Sequence, residues 1–241
     1  MEKALERTTL LIGDKGLEKL TNSSIAVIGV GGVGSYVVEA LARCGVGNLL
    51  LVDHDIIDVS NINRQIHALT STIGLSKVDV MKNRIKDINP NCKVEIKKEF
   101  CTPENVSIIL NKKYDYIIDA IDYVKGKIAI IELAKQKNIN VISSMGTANK
   151  LNNKSFEIVD VSKTHSCPLA KVMRKELRQK GIDSGVKVIY SPIKSIKIEQ
   201  NDNTKEKVLG SISFVPPVAG LLLAGEVIND LLFDSTCMIE I

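Results

Sequence analysis

The chain has 241 residues, 32 Lys and Arg against 28 Asp and Glu, a formal charge of +4 and no tryptophan. Hydrophobic residues make up 44% and charged residues 25%, the balance of a chain that buries a core, which excludes a disordered polymer. The charge is too small to make nucleic-acid binding the default, although a local basic face is compatible with it.

The start, residues 1–19, alternates charged and apolar residues and lacks the apolar run of a signal peptide. Residues 24–29 (SIAVIG) read as a buried strand, being short, rich in Val and Ile, and followed by glycines. A helix is predicted over 34–44, stopped by Gly45 and Gly47, and a strand over 48–53. Residues 77–88 carry Val78, Met81, Ile85 and Ile88 at helical spacing. A short strand at 94–96, a short helix at 105–110, a strand at 116–119, a helix at 126–137 and a strand at 140–144 follow.

After Lys150 the pattern changes. Strands are predicted at 156–161, 186–190 and 195–199, with a hairpin return at 208–214 after the turn cluster Asn201-Asp202-Asn203. A basic helix occupies 169–180. The last helix, 217–233, lies in the most apolar stretch, but Glu226, Asn229 and Asp230 mark it as a core helix rather than a transmembrane segment. The alternation predicts an α/β, Rossmann-like, doubly wound and mostly parallel sheet with a C-terminal antiparallel extension. No linker divides it, so residues 1–241 read as a single domain. Residues 1–150 form its nucleotide-binding half and 151–241 its substrate and dimer half.

Gly29-Val30-Gly31-Gly32-Val33-Gly34 joins the first strand to a helix and fits G-x-G-x-x-G through Gly29, Gly31 and Gly34. The glycines let backbone N–H groups approach phosphates, and the helix N-terminus favours an anion. Asp53 ends the next strand 19 residues after Gly34, where an acid can bind a ribose hydroxyl. Arg64 and Lys77 can neutralise a polyphosphate, one as a planar fork and one as a point charge. Asp122 follows a strand, at the carboxyl edge where such sheets bind ligands, and a carboxylate there suits Mg²⁺ beside phosphate oxygens. The set reads as Mg-ATP rather than a nicotinamide dinucleotide.

With these residues in view, the sequence resembles the ubiquitin-activating-like superfamily of adenylating enzymes. The resemblance rests on Gly29–Gly34, Asp53-His54-Asp55, Ser60-Asn61-Ile62-Asn63-Arg64-Gln65, Lys77 and Asp122. Within it the chain is most similar to the tRNA threonylcarbamoyladenosine dehydratases. Leu11-Ile12-Gly13, Gly34-Ser35-Tyr36, Ile66-His67-Ala68, Asp119-Ala120-Ile121-Asp122 and Asp160-Val161-Ser162-Lys163-Thr164 carry that likeness. The resemblance implies that Gly31, Gly32 and Gly34 meet phosphate and Asp53 the ribose. It puts Asn61, Arg64 and Lys77 on the polyphosphate, and Asp122 on the magnesium ion. Asp55, Gln65 and Lys127 join the expected ATP-binding set, and Arg7 reaches a partner's nucleotide across a homodimer. Catalysis is assigned to Arg64, Lys77 and Asp122, with ATP and Mg²⁺ as cofactors and a threonylcarbamoyladenosine-bearing tRNA as substrate.

Two absences discriminate among relatives. Sulfur-carrier activators commonly bear paired C-x-x-C zinc motifs, whereas none of Cys44, Cys92, Cys101, Cys167 and Cys237 stands at that spacing. No zinc site is expected, and a cytoplasmic, reducing setting is. At 241 residues, no catalytic-cysteine or ubiquitin-fold domain is expected. Three rival readings are adenylation of a ubiquitin-fold sulfur carrier, a non-catalytic nucleotide module of a sulfur-transfer complex, and an NAD oxidoreductase. A cysteine desulfurase or sulfur-acceptor partner is a further expectation. Cys167 is similar in position to the thioester cysteine of ubiquitin activators, but dehydration needs no thioester. Lys163, Lys171, Arg174, Lys175 and Arg178 are the candidate tRNA-binding residues, in a basic cluster that extends to Lys180 and Lys187. Lys171, Lys175 and Arg178 are expected to share a helix face turned away from Leu169, Val172, Met173 and Leu177.

Overall fold

A computed structural model describes residues 2–198 and 209–233. Seven strands form one sheet in the order β3-β2-β1-β4-β5-β7-β6. They are β1 (Ser24–Ile28), β2 (Asn48–Val52), β3 (Lys93–Lys97), β4 (Tyr116–Asp119), β5 (Asn140–Ser144), β6 (Glu157–Asp160) and β7 (Lys187–Tyr190). All neighbours pair in parallel except β6 and β7, which are antiparallel. The predicted antiparallel extension is therefore an edge strand added to the same sheet.

Alternation decides which side chains face which layer. In β1, Ile25 and Val27 join one apolar cluster, and Ala26 and Ile28 the other. The first cluster packs α2 (Gly34–Arg43), α3 (Lys77–Ile88) and α7 (Val215–Phe233) on one face. The second packs α4 (Val106–Ile109), α5 (Val124–Gln136) and α6 (Pro168–Gln179) on the other. Strands covered on both faces carry continuous Val, Ile and Leu runs, which is why they were legible in sequence.

One helix was not anticipated and one expectation needs correction. Residues 2–22 form α1 (Glu2–Asn22), kinked at Gly13, where φ is +68°; only Ile12 and Leu20 of this weakly patterned segment join the first cluster, so its periodicity was missed. Residues 195–198 and 209–214 are not strands. Both are tied instead to Asn149, whose O accepts from Ile196 N at 2.7 Å and whose N donates to Gly210 O at 2.8 Å. The turn cluster 201–203 lies outside the described residues. The last helix is the core helix expected: α7 has the length and hydropathy of a spanning helix, yet it packs on α2 and α1, and Lys187 holds both Glu226 and Asp230 at 2.5–2.7 Å.

Candidate active site

The chain runs from β1 outward to β2 and β3, then returns across β1 to β4. Connections leave β1 and β4 in opposite directions, which opens a crevice at their carboxyl ends. A cleft of about 570 Å³ lies there, lined by the glycine loop, the ends of β2 and β4, and the loop after β5.

The glycines serve different purposes. A Cβ on Gly34 would sit 1.8 Å from the Gly29 carbonyl oxygen, so this glycine permits the turn itself. A Cβ on Gly31 would meet nothing nearer than the Gln65 amide at 4.0 Å, so its bareness serves the open cleft. Asp53 accepts the Val30 N–H at 2.7 Å and the Asp55 N–H at 2.9 Å, which fixes its carboxylate against the loop. His67, almost wholly buried, holds the loop from behind through Nε2 and the Val30 carbonyl at 2.7 Å. Burial pushes the His67 pKa down, and the Lys77 charge outweighs part of what the bond to Val30 restores. The ring's place behind the loop is structural.

The segment between β2 and α3 brings the cations in. Asn61 closes a short helical turn, accepting the Asp58 N–H while Asp58 accepts the Ser60 N–H at 2.8 Å. That turn carries Arg64, whose Nη1 donates to Ser60 O and to Asn63 Oδ1, both at 2.8 Å. Its Nε and Nη2 have no partner among the described residues. Lys77, at the start of α3, places Nζ 2.6 Å from Asp55 Oδ2, leaving two further donors for a ligand. Gln65 is buried, and its Oε1 has no hydrogen-bond partner among the described residues. Asp122 is exposed on the opposite wall without an ion-pair partner among those residues.

The cleft therefore gathers Gly29, Gly31, Gly32, Asp53, Asp55, Asn61, Arg64, Gln65, Lys77 and Asp122. Three expected members lie elsewhere. Gly34 is packed beneath the loop. Arg7 is exposed on α1. Lys127 is fully buried, with Nζ 2.9 Å from Asp119 Oδ2, and it donates to the carbonyls of Ile121 at 3.0 Å and Ser144 at 2.8 Å. It clamps the carboxyl ends of β4 and β5, and so positions both loops, rather than facing the cleft.

Lining residues missed in sequence are Phe100, Met145, Gly146, Thr147, Leu209 and Ser211. The small run Gly146-Thr147-Ala148 after a strand was the available signal. Phe100 stands edge-on to His54 at 4.8 Å and tilted to Tyr123 at 5.0 Å, forming an aromatic rim.

Cysteine chemistry is unsupported here. Burial pushes the Cys101 thiol, which lines the cleft, up to about 12 and the Cys92 thiol up to about 11. Cys167 is buried at the N-terminus of α6. Among the described residues, the grouping with metal-holding geometry is Asp53, His54 and Asp55, not a cysteine cluster.

A profile of the ThiF family matches residues 5–236. The chain belongs to the ThiF family. It is 49% identical over 239 residues to a Bacillus subtilis (strain 168) protein named tRNA threonylcarbamoyladenosine dehydratase, covering 95% of this chain and 94% of that one. It also resembles two crystal structures of Escherichia coli tRNA N6-threonylcarbamoyladenosine dehydratase, one in complex with AMP and one in complex with ATP. Each gives a TM-score of 0.88 over 95% of this chain and 94% of the other, at 33% and 32% identity.

On α6, Lys171, Lys175 and Arg178 share an exposed face and, with Arg174 and Gln179, line a shallow groove of about 380 Å³. Met173 and Leu177 are buried beneath it, but Val172 is exposed, contrary to the expected apolar face. Arg174 turns inward and donates to the Thr164 carbonyl at 2.8 Å. Arg178 lies 3.1 Å from Asp183, and Lys180 3.3 Å from Glu132. Lys187 leaves the basic cluster altogether, because Glu226 and Asp230 hold it against α7.

Proposed function

We propose that this ThiF-family chain is an ATP-dependent dehydratase that converts threonylcarbamoyladenosine in tRNA to its cyclic form. The observation that carries the reading is one cleft holding Arg64, Lys77 and Asp122 around a bare glycine loop, in a chain so similar to a named dehydratase along nearly its whole length. The threonyl carboxylate is a poor electrophile. One of its oxygens attacks a phosphorus of ATP, giving a mixed anhydride and releasing the remaining phosphate portion. An atom of the same carbamoyl group then attacks the activated carbonyl carbon, closes a ring, releases a carbamoyl N–H proton to solvent and expels the phosphate with the former carboxylate oxygen. The nucleoside loses one water. Attack within one molecule needs positioning more than covalent help.

Each residue has a role in this scheme. Gly31 and Gly32 admit the phosphates, Asp53 binds the ribose, and Asn61 and Gln65 supply amide groups. Arg64 and Lys77 offset charge growing on the leaving phosphate. Lys77 must exchange Asp55 for phosphate, or share itself between them. Asp122 fits magnesium, since a carboxylate without an ion-pair partner among the described residues, set beside phosphate oxygens, is the donor set that ion takes. Magnesium supplies charge neutralisation on the phosphates when bound.

The two halves share one sheet, which supports reading residues 1–241 as one domain. Arg7, Leu10 and Leu11 share an exposed face of α1 by i, i+3, i+4 spacing, with Leu10 82% and Leu11 75% exposed. That face supports a homodimer in which Arg7 serves the partner's nucleotide. The tRNA backbone lies along Lys163, Lys171, Lys175 and Arg178, with Arg174 bracing the loop before them. Leu169 at the start of α6 lines the cleft, so this basic face begins at the cleft's rim. The enzyme works in the cytoplasm.

The test is to incubate the protein with modified tRNA, ATP and magnesium, digest to nucleosides and measure mass. A nucleoside lighter by one water is expected. Its absence refutes the reading, and exchange of pyrophosphate that depends on a Gly-Gly-ended protein would favour a sulfur-carrier activator instead. Arg64→Ala and Asp122→Ala should each lower turnover roughly 10²-fold or more with the melting temperature unchanged.

A further inference from the structure

The segment 209–214 forms neither helix nor strand, and its Leu209 and Ser211 line the cleft. Two asparagines pin it from opposite walls. Asn149, which follows the lining run 145–148, donates N–H to the Gly210 carbonyl at 2.8 Å and accepts the Gly210 N–H on Oδ1 at 2.6 Å. Its φ of +56° lets backbone and side chain reach the same residue. On the nucleotide wall, Asn63 Nδ2 donates to the Ser211 carbonyl at 3.1 Å, across 148 residues of sequence. The same amide accepts on Oδ1 from Arg64 Nη1 at 2.8 Å. A continuous chain therefore runs from the Arg64 guanidinium through the Asn63 amide to a segment that lines the cleft.

We propose that Asn63 is a positioning residue that couples nucleotide at Arg64 to the placement of 209–214 over the substrate side of the cleft; this rests on the nucleotide reading above. Among the described residues Arg64 spends only Nη1 on protein acceptors, so a polyphosphate can take its Nε and Nη2 without breaking the link to Asn63. A phosphate would immobilise the guanidinium and with it the amide. An amide whose oxygen accepts from a cation is a stronger N–H donor, and a guanidinium held in place keeps the amide oriented toward the Ser211 carbonyl. The segment is then fixed before the modified nucleoside enters. Coupling is reciprocal, so substrate beneath the segment raises affinity for ATP by the factor that ATP raises affinity for substrate. One net hydrogen bond corresponds to about two- to tenfold.

The experiment is hydrogen exchange of the full chain, reading the peptide over 209–214 with and without Mg-ATP, beside calorimetric ATP binding. In the parent protein ATP should slow exchange there about threefold or more. Asn63→Leu, of similar shape without polar atoms, should abolish that response while the ATP dissociation constant changes less than twofold. It should raise the KM for modified tRNA about two- to tenfold with kcat nearly unchanged. Asn63→Gln, which retains the amide, should recover part of both effects. Full ATP affinity without a response in the parent, or an undiminished response in Asn63→Leu, overturns the coupling. Absence of ATP binding in the parent rejects the nucleotide site itself, and the coupling with it.

Discussion

Two glycines of one motif should fail in opposite ways. Alanine at Gly34 places a methyl group 1.8 Å from the Gly29 carbonyl oxygen, whereas real Cβ contacts essentially never fall below 3.0 Å. The loop must retreat by more than about 1 Å, and it cannot do so freely. Gly29 sits at φ +90°, its N–H bonded to Val52 O at 2.8 Å, and its own Cβ position lies 2.7 Å from the Ala120 carbonyl. Overpacking of this kind costs about 1–3 kcal/mol or more. Alanine at Gly31 meets only the Gln65 amide at 4.0 Å, and Gly31 is not among the positive-φ glycines. Its fold should be as stable as the parent's, or more stable by up to about 1 kcal/mol through the lower entropy of the unfolded chain. Its methyl group points into the space expected to hold phosphate, so ATP affinity should fall at least tenfold, about 1.4 kcal/mol. Urea denaturation and calorimetric titration with ATP read the two quantities separately. Loss of stability without loss of ATP affinity in Gly31→Ala, or an unperturbed Gly34→Ala, would refute the division of roles.

Other expectations are as direct. Lys127→Met strands the Asp119 carboxylate, itself wholly buried, and should cost about 3–5 kcal/mol in urea denaturation; a smaller loss than 1 kcal/mol would contradict the clamp. His67 has a native pKa below its unfolded value of about 6.5, so the native state binds fewer protons. Its contribution is fully present above about pH 6.5 and is lost as pH falls toward the native pKa. His67→Gln should therefore flatten the acid limb of the stability profile, and an unaltered limb would remove the assignment. The double variant Lys171→Ala, Lys175→Ala should lower the salt dependence of tRNA binding by a slope of roughly 1.5, the value for two phosphate contacts. An unchanged slope would move the RNA path off α6.

What the sequence determined by itself was whatever depends on near neighbours. Doubly covered strands need unbroken apolar runs, so β1, β2, β4 and β5 were readable within a residue of their ends. The Gly29–Gly34 loop and Asp53 could be picked out because the motif restricts residue type at fixed spacing, and Arg64, Lys77 and Asp122 by their charge. Of these, Gly29, Gly31, Gly32, Asp53, Arg64, Lys77 and Asp122 line one cleft. Helix α1 escaped because it is held by packing on α7 and on the end of α2 rather than by a strong period of its own.

Direction and partnership were decided only by tertiary structure. Lys127 could be placed near the Asp122 loop from sequence, yet its charge turns to Asp119 and two carbonyls, because no buried lysine can remain unpaired. The basic run 163–187 looks uniform as letters, but Arg174 braces Thr164 and Lys187 locks α7, leaving a narrower exposed face. The tie between Asn63 and the 209–214 segment is the extreme case. Asn63 and Ser211 lie 148 residues apart, and nothing in the spacing of either announces the other. Local periodicity reports which face a side chain turns to; only the folded chain brings a donor and an acceptor from distant segments within hydrogen-bonding distance.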